Sequence, residues 1–341
     1  MPELPEVETV VRDLRPLIAG ATIVDATTHW ARTLRGITPE LFADGVAGRR
    51  IEGVSRRGKQ IVVELSGGSF LTIHLKMTGQ LFVVRQDGPE DPYVRLVLEL
   101  DDGREVRFRD IRKFGKIGLY VAADDPFAAI GPEPLSDAFT LGVFRKRLRA
   151  RKGRLKPLLL DQTFVAGIGN IYADEAVWAA RLHPLRTART LRPADERRLW
   201  LEIRRILAEA VIRRGSSIDD YTAPDGDGEM QDHLQVYQRA GEPCPRCGRP
   251  IRRVVVGGRA THFCSWCQRL PAADRAGGGA ATILRTMATP ERRGRRWSEL
   301  AAGEGRVGPA AEGRPAASNR AERTRRAAAT RRAAARASVG G

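Results

Sequence analysis

Pro2-Glu3-Leu4-Pro5-Glu6-Val7-Glu8-Thr9 follows Met1 directly, and its reading decides how the fold begins and what chemistry the chain can carry. Removal of Met1 leaves Pro2 as a free secondary amine. An α-amino group titrates near pH ~8 where a lysine titrates near ~10, so more of it is neutral and nucleophilic in the cell. Such an amine can attack an electrophilic sugar carbon. The resulting iminium stays charged at any pH, because its nitrogen has no proton left to lose, and it is therefore an electron sink for elimination. From Pro5 onward Val7, Val10, Val11, Leu14, Leu17 and Ile18 recur at helical spacing, and Pro5 suits a first helical turn. Glu3 and Glu6 then sit at or just before a helix N-terminus, where the dipole and unpaired N–H groups favour negative charge. Acids and prolines are also ordinary at helix starts, so the rest of the chain must decide between the two readings.

Outward from this helix, over residues 1–19, the pattern turns to β. Runs at 22–24, 61–65, 70–75, 80–84, 94–100, 105–109 and 116–121 are broken by turn signals such as Ser66-Gly67-Gly68, Asp87-Gly88-Pro89 and Asp101-Asp102-Gly103. Many short strands predict an antiparallel sandwich or barrel, with a hairpin at Asp102-Gly103. Gly131-Pro132-Glu133-Pro134 reads as a linker. Beyond it, 144–151, 157–164, 171–180 and 194–214 read as helices, followed by a polar Gly/Asp-rich loop over 215–232.

All four cysteines, Cys244, Cys247, Cys264 and Cys267, fall in the pattern C-x2-C-x16-C-x2-C. Two such knuckles, in a chain that begins without an export signal, read as a closed tetrahedral site for one structural zinc ion. Two disulfides are the alternative, which a reducing compartment disfavours. Between the knuckles, 252–256 and 260–263 read as strands joined at Gly257-Gly258.

Composition narrows the partner. The 341 residues carry a formal charge of +17, which points to a polyanion, nucleic acid first and anionic membrane a distant second. Residues 276–341 contain 14 arginines and 5 acidic residues, a net +9, so the remainder is basic on its own account. Few apolar anchors there predict disorder. No apolar run approaches the ~20 residues of a membrane span, and a cytoplasmic home is expected.

Five ordered motifs carry a family resemblance: PELPEVET at 2–9, HLKMTGQ at 74–80, RDIRKFG at 109–115, DQTFVAGIGNIYADE at 161–175, and the four-cysteine finger. From Pro2 to about Arg269 the chain resembles the bacterial formamidopyrimidine-DNA glycosylases, repair enzymes for oxidised purines such as 8-oxoguanine. The resemblance implies a multidomain α+β protein: an N-terminal helix plus antiparallel β-sandwich (1–133), a helix–two-turn–helix domain with a lesion-recognition loop (134–237), a β-ribbon zinc finger (238–272) and a disordered basic tail (273–341). It implies a monomeric glycosylase and abasic-site lyase acting on double-stranded DNA with oxidised bases or abasic sites, in the cytoplasm at the nucleoid and not at a membrane.

The same resemblance implies roles. Pro2 falls on the nucleophile and Glu3 on the acid/base carboxylate, which fits the need for a proton as a damaged base departs. Glu6 orients the amine or caps the helix. Lys59 matches a hairpin lysine that acts as a proton donor or phosphate contact, and Arg259, after the Gly257-Gly258 turn, is expected in the same role, as a proton donor or on the phosphate beside the flipped nucleotide. Base flipping leaves a hole in the duplex, and Met77, Arg112 and Phe114 match the trio that fills it. Core packing is the bland alternative for Met77 and Phe114. His74, in the second motif, and Lys156 are expected to face DNA or the lesion pocket. Asn170 is expected to N-cap the helix from Ile171 and help bind a phosphate. Around Met230 the loop departs from relatives, where an aromatic residue is frequent.

Two rivals remain at this point. One keeps the fold but prefers oxidised pyrimidines, as the endonuclease VIII branch does, although that branch usually has glycine in place of Leu4. The other is a silent zinc protein that only binds damaged DNA, which would need neither Pro2, Glu3 nor Lys59. For the tail, a nonspecific DNA tether and arginine/alanine drift in a GC-rich genome are both open.

Overall fold

The first helix, α1 (Leu4–Ile18), joins two cores. Leu4 is buried among the helices of the second half of the chain. Val7, Val10, Val11, Leu14 and Ile18, on the stripe that the apolar spacing predicts, are buried in the β-sandwich, whereas Leu17, placed on the same stripe, is exposed because it falls outside the buried arc of the helix. The N-terminus is thus held where the two cores meet. The computed structural model describes residues 1–217 and 228–275. Most of the expected lesion loop (218–227) and nearly all of the expected tail (276–341) lie outside the described residues. Those described fall within one compact unit.

The sandwich contains strands β1 (Ile23–Thr28), β2 (Ile51–Arg57), β3 (Gln60–Leu65), β4 (Ser69–His74), β5 (Gly79–Arg85), β6 (Val94–Leu100), β7 (Arg104–Asp110) and β8 (Lys116–Val121). They form two antiparallel four-stranded sheets, ordered β1-β6-β7-β5 and β2-β3-β4-β8. Register matters for the site. Gly79 pairs with Asp110, and His74 pairs with Lys116. The turn before β5 and the loop after β7, which carry Met77, Arg112 and Phe114, are therefore brought side by side.

Helix α2 (Pro39–Val46) covers the sandwich, and α3 (Leu141–Arg149), α4 (Leu155–Leu160), α5 (Asn170–Ala179) and α6 (Pro193–Ile212) build the second core. The ribbon is β9 (Arg252–Val256) and β10 (Arg259–Phe263), followed by the short α7 (Ala272–Arg275). Among the described residues no helix is long and apolar enough to cross a membrane.

Besides the four-residue α7, strand β2 and helix α2 went unread in the sequence. In β2 only Ile51 and Val54 are buried while Glu52, Arg56 and Arg57 interrupt the apolar signal. Helix α2 is only eight residues long, although its Thr38 N-cap and Pro39 were visible signals. Helix α4 also starts and stops earlier than the expected 157–164. It stops because Asp161 turns the chain, its carboxylate accepting from the Thr163 amide (2.8 Å) and hydroxyl (2.7 Å).

Candidate active site and nucleic-acid interface

A cavity of about 260 Å³ lies where α1, the β2–β3 turn, the start of α5 and the ribbon meet. Pro2, Glu3, Lys59, Met77, Asn170 and Arg259 all line it. These residues span the sequence from one end of the folded body to the other. Met1 also lines the cavity, and Pro2 carries a free amine only once Met1 is removed.

Glu3 is 2% exposed, and its carboxylate bonds across the molecule. It accepts from the Gly169 amide at 2.6 Å and the Ile171 amide at 2.8 Å, which are unpaired donors at the start of α5. Gly169 is required by this approach, since a Cβ there would stand 2.4 Å from Glu3 Cδ. Burial raises the Glu3 pKa above the usual carboxylate range; Lys59 and the two amides oppose the shift and Glu6 adds to it. A carboxyl group in this setting holds its proton to higher pH than an ordinary carboxylate does.

Glu6 does cap the helix: its Oε2 accepts from the Glu3 amide at 2.8 Å. Its Oε1 accepts from the Tyr172 hydroxyl at 2.6 Å and the Ser216 amide at 2.8 Å. Burial first, and Glu6 beside it, hold the Tyr172 phenol well above its usual pKa, so it remains a donor. The first turn of α1 is thereby tied to α5 and to the stem of the 215–232 loop.

Lys59 sits at the tip of the β2–β3 hairpin and is 6% exposed. Gly58 takes φ +59°, the left-handed conformation this tight turn requires. Glu133 holds the hairpin from the linker. It accepts from Arg56 (2.8 Å), Arg57 (2.9 Å) and the Gly58 amide (2.6 Å). Burial alone would raise the Glu133 pKa, but these partners together keep it lowered and ionised. Burial also lowers the Lys59 pKa, against the pull of Glu3 and Glu6 and with Arg259 and Lys76 reinforcing the drop. His74 lies at the end of β4, where burial and then Lys76 and Lys59 lower its pKa to about 3. It is a neutral imidazole whose Nδ1 accepts the Lys76 amide (3.1 Å).

The Met77 and Phe114 side chains project into solvent, 37% and 49% exposed, so the core-packing alternative does not hold for either. Buried Asp110 organises both loops by accepting from the Thr78 hydroxyl, the Arg112 amide (3.2 Å) and the Gly115 amide (2.7 Å). The Arg112 guanidinium lies 5.0 Å from the Phe114 ring centroid. The exposed ring and the cation beside it stand together at the surface next to Met77.

Two expectations need correction. Lys156 does not face the cavity or solvent; its side chain is fully buried, paired with Asp174 at 2.6 Å. Asn170 is not the N-cap of α5. Helix α5 begins at Asn170, Gly169 holds the cap position, and Glu3 supplies the capping oxygens. The Asn170 Oδ1 has no hydrogen-bond partner among the described residues and belongs to a residue that lines the cavity. Met230, for its part, is a core residue of the helical half, 3% exposed.

Several supporting residues escaped the sequence reading, among them Tyr172, Asp174 and Tyr237, which also lines the cavity. Glu133 did carry a signal, an acid set between two prolines in a segment read only as a linker.

The four cysteines are free thiols whose sulfurs all lie within 4.8 Å of one another. Tetrahedral Zn–S bonds of ~2.3 Å place sulfurs about 3.8 Å apart, so the cluster fits one zinc ion. Burial and then the neighbouring thiols push Cys267 up to about 12, and burial also raises Cys264. Such crowding is relieved when a divalent cation takes up the thiolates. Zinc here would pin the base of the ribbon whose tip carries Arg259.

Comparison with known proteins agrees at every level. The profile described as Formamidopyrimidine-DNA glycosylase N-terminal domain matches residues 1–117, the H2TH domain of the same enzymes matches 130–222, and the zinc finger found in FPG and IleRS matches 241–270. The chain is 46% identical over 274 residues to the formamidopyrimidine-DNA glycosylase of Herpetosiphon aurantiacus, covering 79% of this chain and 100% of that one. It is also similar to the solved MutM (FPG) protein of Thermus thermophilus, at 44% identity and a TM-score of 0.71, covering 78% and 98% of the two chains. A Lactococcus lactis FPG point mutant in complex with Fapy-dG containing DNA matches at 38% identity and a TM-score of 0.75, covering 79% and 100%. With relatives matched over their full length and three profiles in the expected order, the chain belongs to the formamidopyrimidine-DNA glycosylase family.

Proposed function

We propose that this chain is a bifunctional base excision repair enzyme. It flips an oxidised purine, 8-oxoguanine or a formamidopyrimidine, out of duplex DNA, excises it, and cleaves the abasic strand by β,δ-elimination. The observation that carries the reading is Pro2 in one cavity with the buried Glu3 carboxyl group and the cations Lys59 and Arg259. Solved relatives bound to DNA that contains Fapy-dG, an abasic site or a carbocyclic 8-oxo-G support the substrate class.

Once Met1 is removed, the Pro2 nitrogen attacks the anomeric carbon and the bond to the base breaks. Glu3, protonated more readily because it is buried, supplies the proton the departing base or opening sugar needs. The bond from that carbon to the ring oxygen then breaks, the nitrogen giving up its proton and the ring oxygen gaining one, and the sugar carbon is left double-bonded to a cationic nitrogen. That charge acidifies the neighbouring carbon, whose deprotonation expels the 3′ phosphate; a second elimination expels the 5′ phosphate and leaves a one-nucleotide gap. Lys59 and Arg259 neutralise phosphate next to the flipped nucleotide, and neutral His74 adds a polar contact without adding charge. Asn170 offers its amide to the same backbone. Met77, Arg112 and Phe114 fill the hole in the stack, which costs a few kcal/mol to open.

We further assign the sandwich to 1–133, the helical domain to 134–237, the finger to 238–272 and the basic extension to 273–341, and place the enzyme as a monomer at the nucleoid. The two cores support the division at 133/134, and the finger packs on the helical domain through clusters that include Leu185, Trp178 and Val236. The test is to compare cleavage of duplexes carrying 8-oxoguanine opposite cytosine with duplexes carrying an oxidised pyrimidine. Faster purine cleavage is expected. Faster pyrimidine cleavage overturns the assignment in favour of the endonuclease VIII preference.

A further inference from the structure

Lys156 and Asp174 are both fully buried, and together they tie two helices to one strand of the zinc ribbon. The Lys156 ammonium stands 2.6 Å from Asp174 Oδ1 on α5 and donates to the Ala260 carbonyl on β10 at 2.8 Å. The other Asp174 oxygen accepts from the His262 amide at 2.8 Å. Two residues of β10 are therefore fixed, Ala260 by Lys156 and His262 by Asp174, and Arg259 lies between the turn and Ala260. The turn itself rests on the residue after Lys156, since a Cβ on Gly257 would meet Pro157 Cγ at 3.5 Å.

From this arrangement we infer that Lys156 is a positioning residue that acts through Arg259, locking the tip of the ribbon over the cavity while the cysteines hold its base. A cation with no access to solvent cannot touch DNA. Nor is such a pair needed for stability, because a buried ion pair can often be exchanged for apolar groups of similar volume at no cost. What it provides is a fixed place for the strand. Arg259 is exposed and makes no hydrogen bond or ion pair through its guanidinium among the described residues, so only its backbone sets where the charge lies. A ~1 Å misplacement of a group that orients the reaction can cost about 100-fold in rate.

This inference rests on the reading that Arg259 holds phosphate in the excision reaction, and a double-mutant cycle separates the two. Single-turnover excision of 8-oxoguanine is measured with the full-length, zinc-loaded protein as Lys156→Met, Arg259→Ala and both, together with the affinity for an uncleavable abasic-site duplex. Lys156→Met is expected to slow excision at least about tenfold when Arg259 is present, and less than about twofold when it is absent. Lys156→Arg, which keeps the charge, should recover part of the loss. Should Lys156→Met fold poorly because it strands the Asp174 carboxylate, Lys156→Met with Asp174→Asn removes the stranded charge and enters the same cycle. Equal fold-losses in both backgrounds, or a well-folded charge-free pair with normal excision, overturns the positioning role. If Arg259→Ala alone costs nothing, the phosphate reading of Arg259 fails instead, and the inference fails with it.

Discussion

The Glu3 carboxylate accepts a hydrogen bond from the Gly169 amide at 2.6 Å, across 166 residues of sequence. One side chain therefore caps α5 and presents the acid beside Pro2, so the domain joint and the catalytic geometry are set by the same contact. Gly169→Ala would place a methyl group 2.4 Å from Glu3 Cδ. Overpacking of that kind costs about 1–3 kcal/mol. We expect Gly169→Ala to lower thermal stability modestly and excision strongly, with a larger loss in the single-turnover rate than in DNA affinity. A loss of DNA affinity with an unchanged single-turnover rate would show that the contact serves binding alone.

Glu3 gives the pH profile a direction. Its pKa is raised by burial, so the protonated acid persists above the usual carboxylate range and is lost as pH rises through the raised value. Excision should decline over that window. The contribution of Glu3 to stability has the same sign: because its folded pKa lies above its unfolded one, the stabilisation is full at low pH and disappears as pH rises through the folded value. Glu3→Gln should reduce excision by about 10²–10⁴-fold and remove this limb of the profile, while cleavage of a preformed abasic site, which has no base to expel, is largely kept. A Glu3→Gln enzyme with the wild-type pH profile would place the acid elsewhere.

Zinc is expected at one ion per chain, held by Cys244, Cys247, Cys264 and Cys267. Cys244→Ser or a strong chelator should abolish binding to damaged duplex. The sandwich core, which contains no finger residue, should keep its β signal in circular dichroism. Normal DNA binding by the metal-free protein would contradict a positioning role for the ribbon.

How much of this was legible depended on range. The cysteine spacing, the ribbon around Gly257-Gly258 and the apolar stripe of α1 are local signals, and each lies where the sequence places it. The cap of α5 was misread because the capping oxygens come from Glu3, and no local pattern around Asn170 could announce them. Lys156 misled for the same reason. A lysine beside a DNA-binding motif reads as directed toward DNA or the lesion pocket until Asp174 and the Ala260 carbonyl are seen to enclose it. Strand β2 was hidden because its two buried positions, Ile51 and Val54, are followed by Arg56 and Arg57, charged residues that serve the hairpin and Glu133.

The basic extension offers a test that leaves the chemistry untouched. Its net +9 over residues 276–341 should act through counterion release if it meets DNA, each neutralised phosphate adding about −0.9 to the slope of log K against log salt. Truncation at Ala276 should weaken binding to damaged and undamaged duplex alike and flatten that slope by several units. Excision at saturating enzyme should hardly change. An unaltered affinity and slope would mark the extension as compositional drift.

The central claim is that the amine of Pro2 attacks the sugar, and covalent trapping tests it most directly. Borohydride added during turnover should reduce the iminium and fix the protein to 8-oxoguanine-containing duplex in high yield, with peptide mapping placing the adduct on Pro2. Pro2→Gly should trap weakly, and protein that retains Met1 should not trap at all. Full trapping by the Met1-retaining protein, or an adduct mapped to Lys59, would contradict the account.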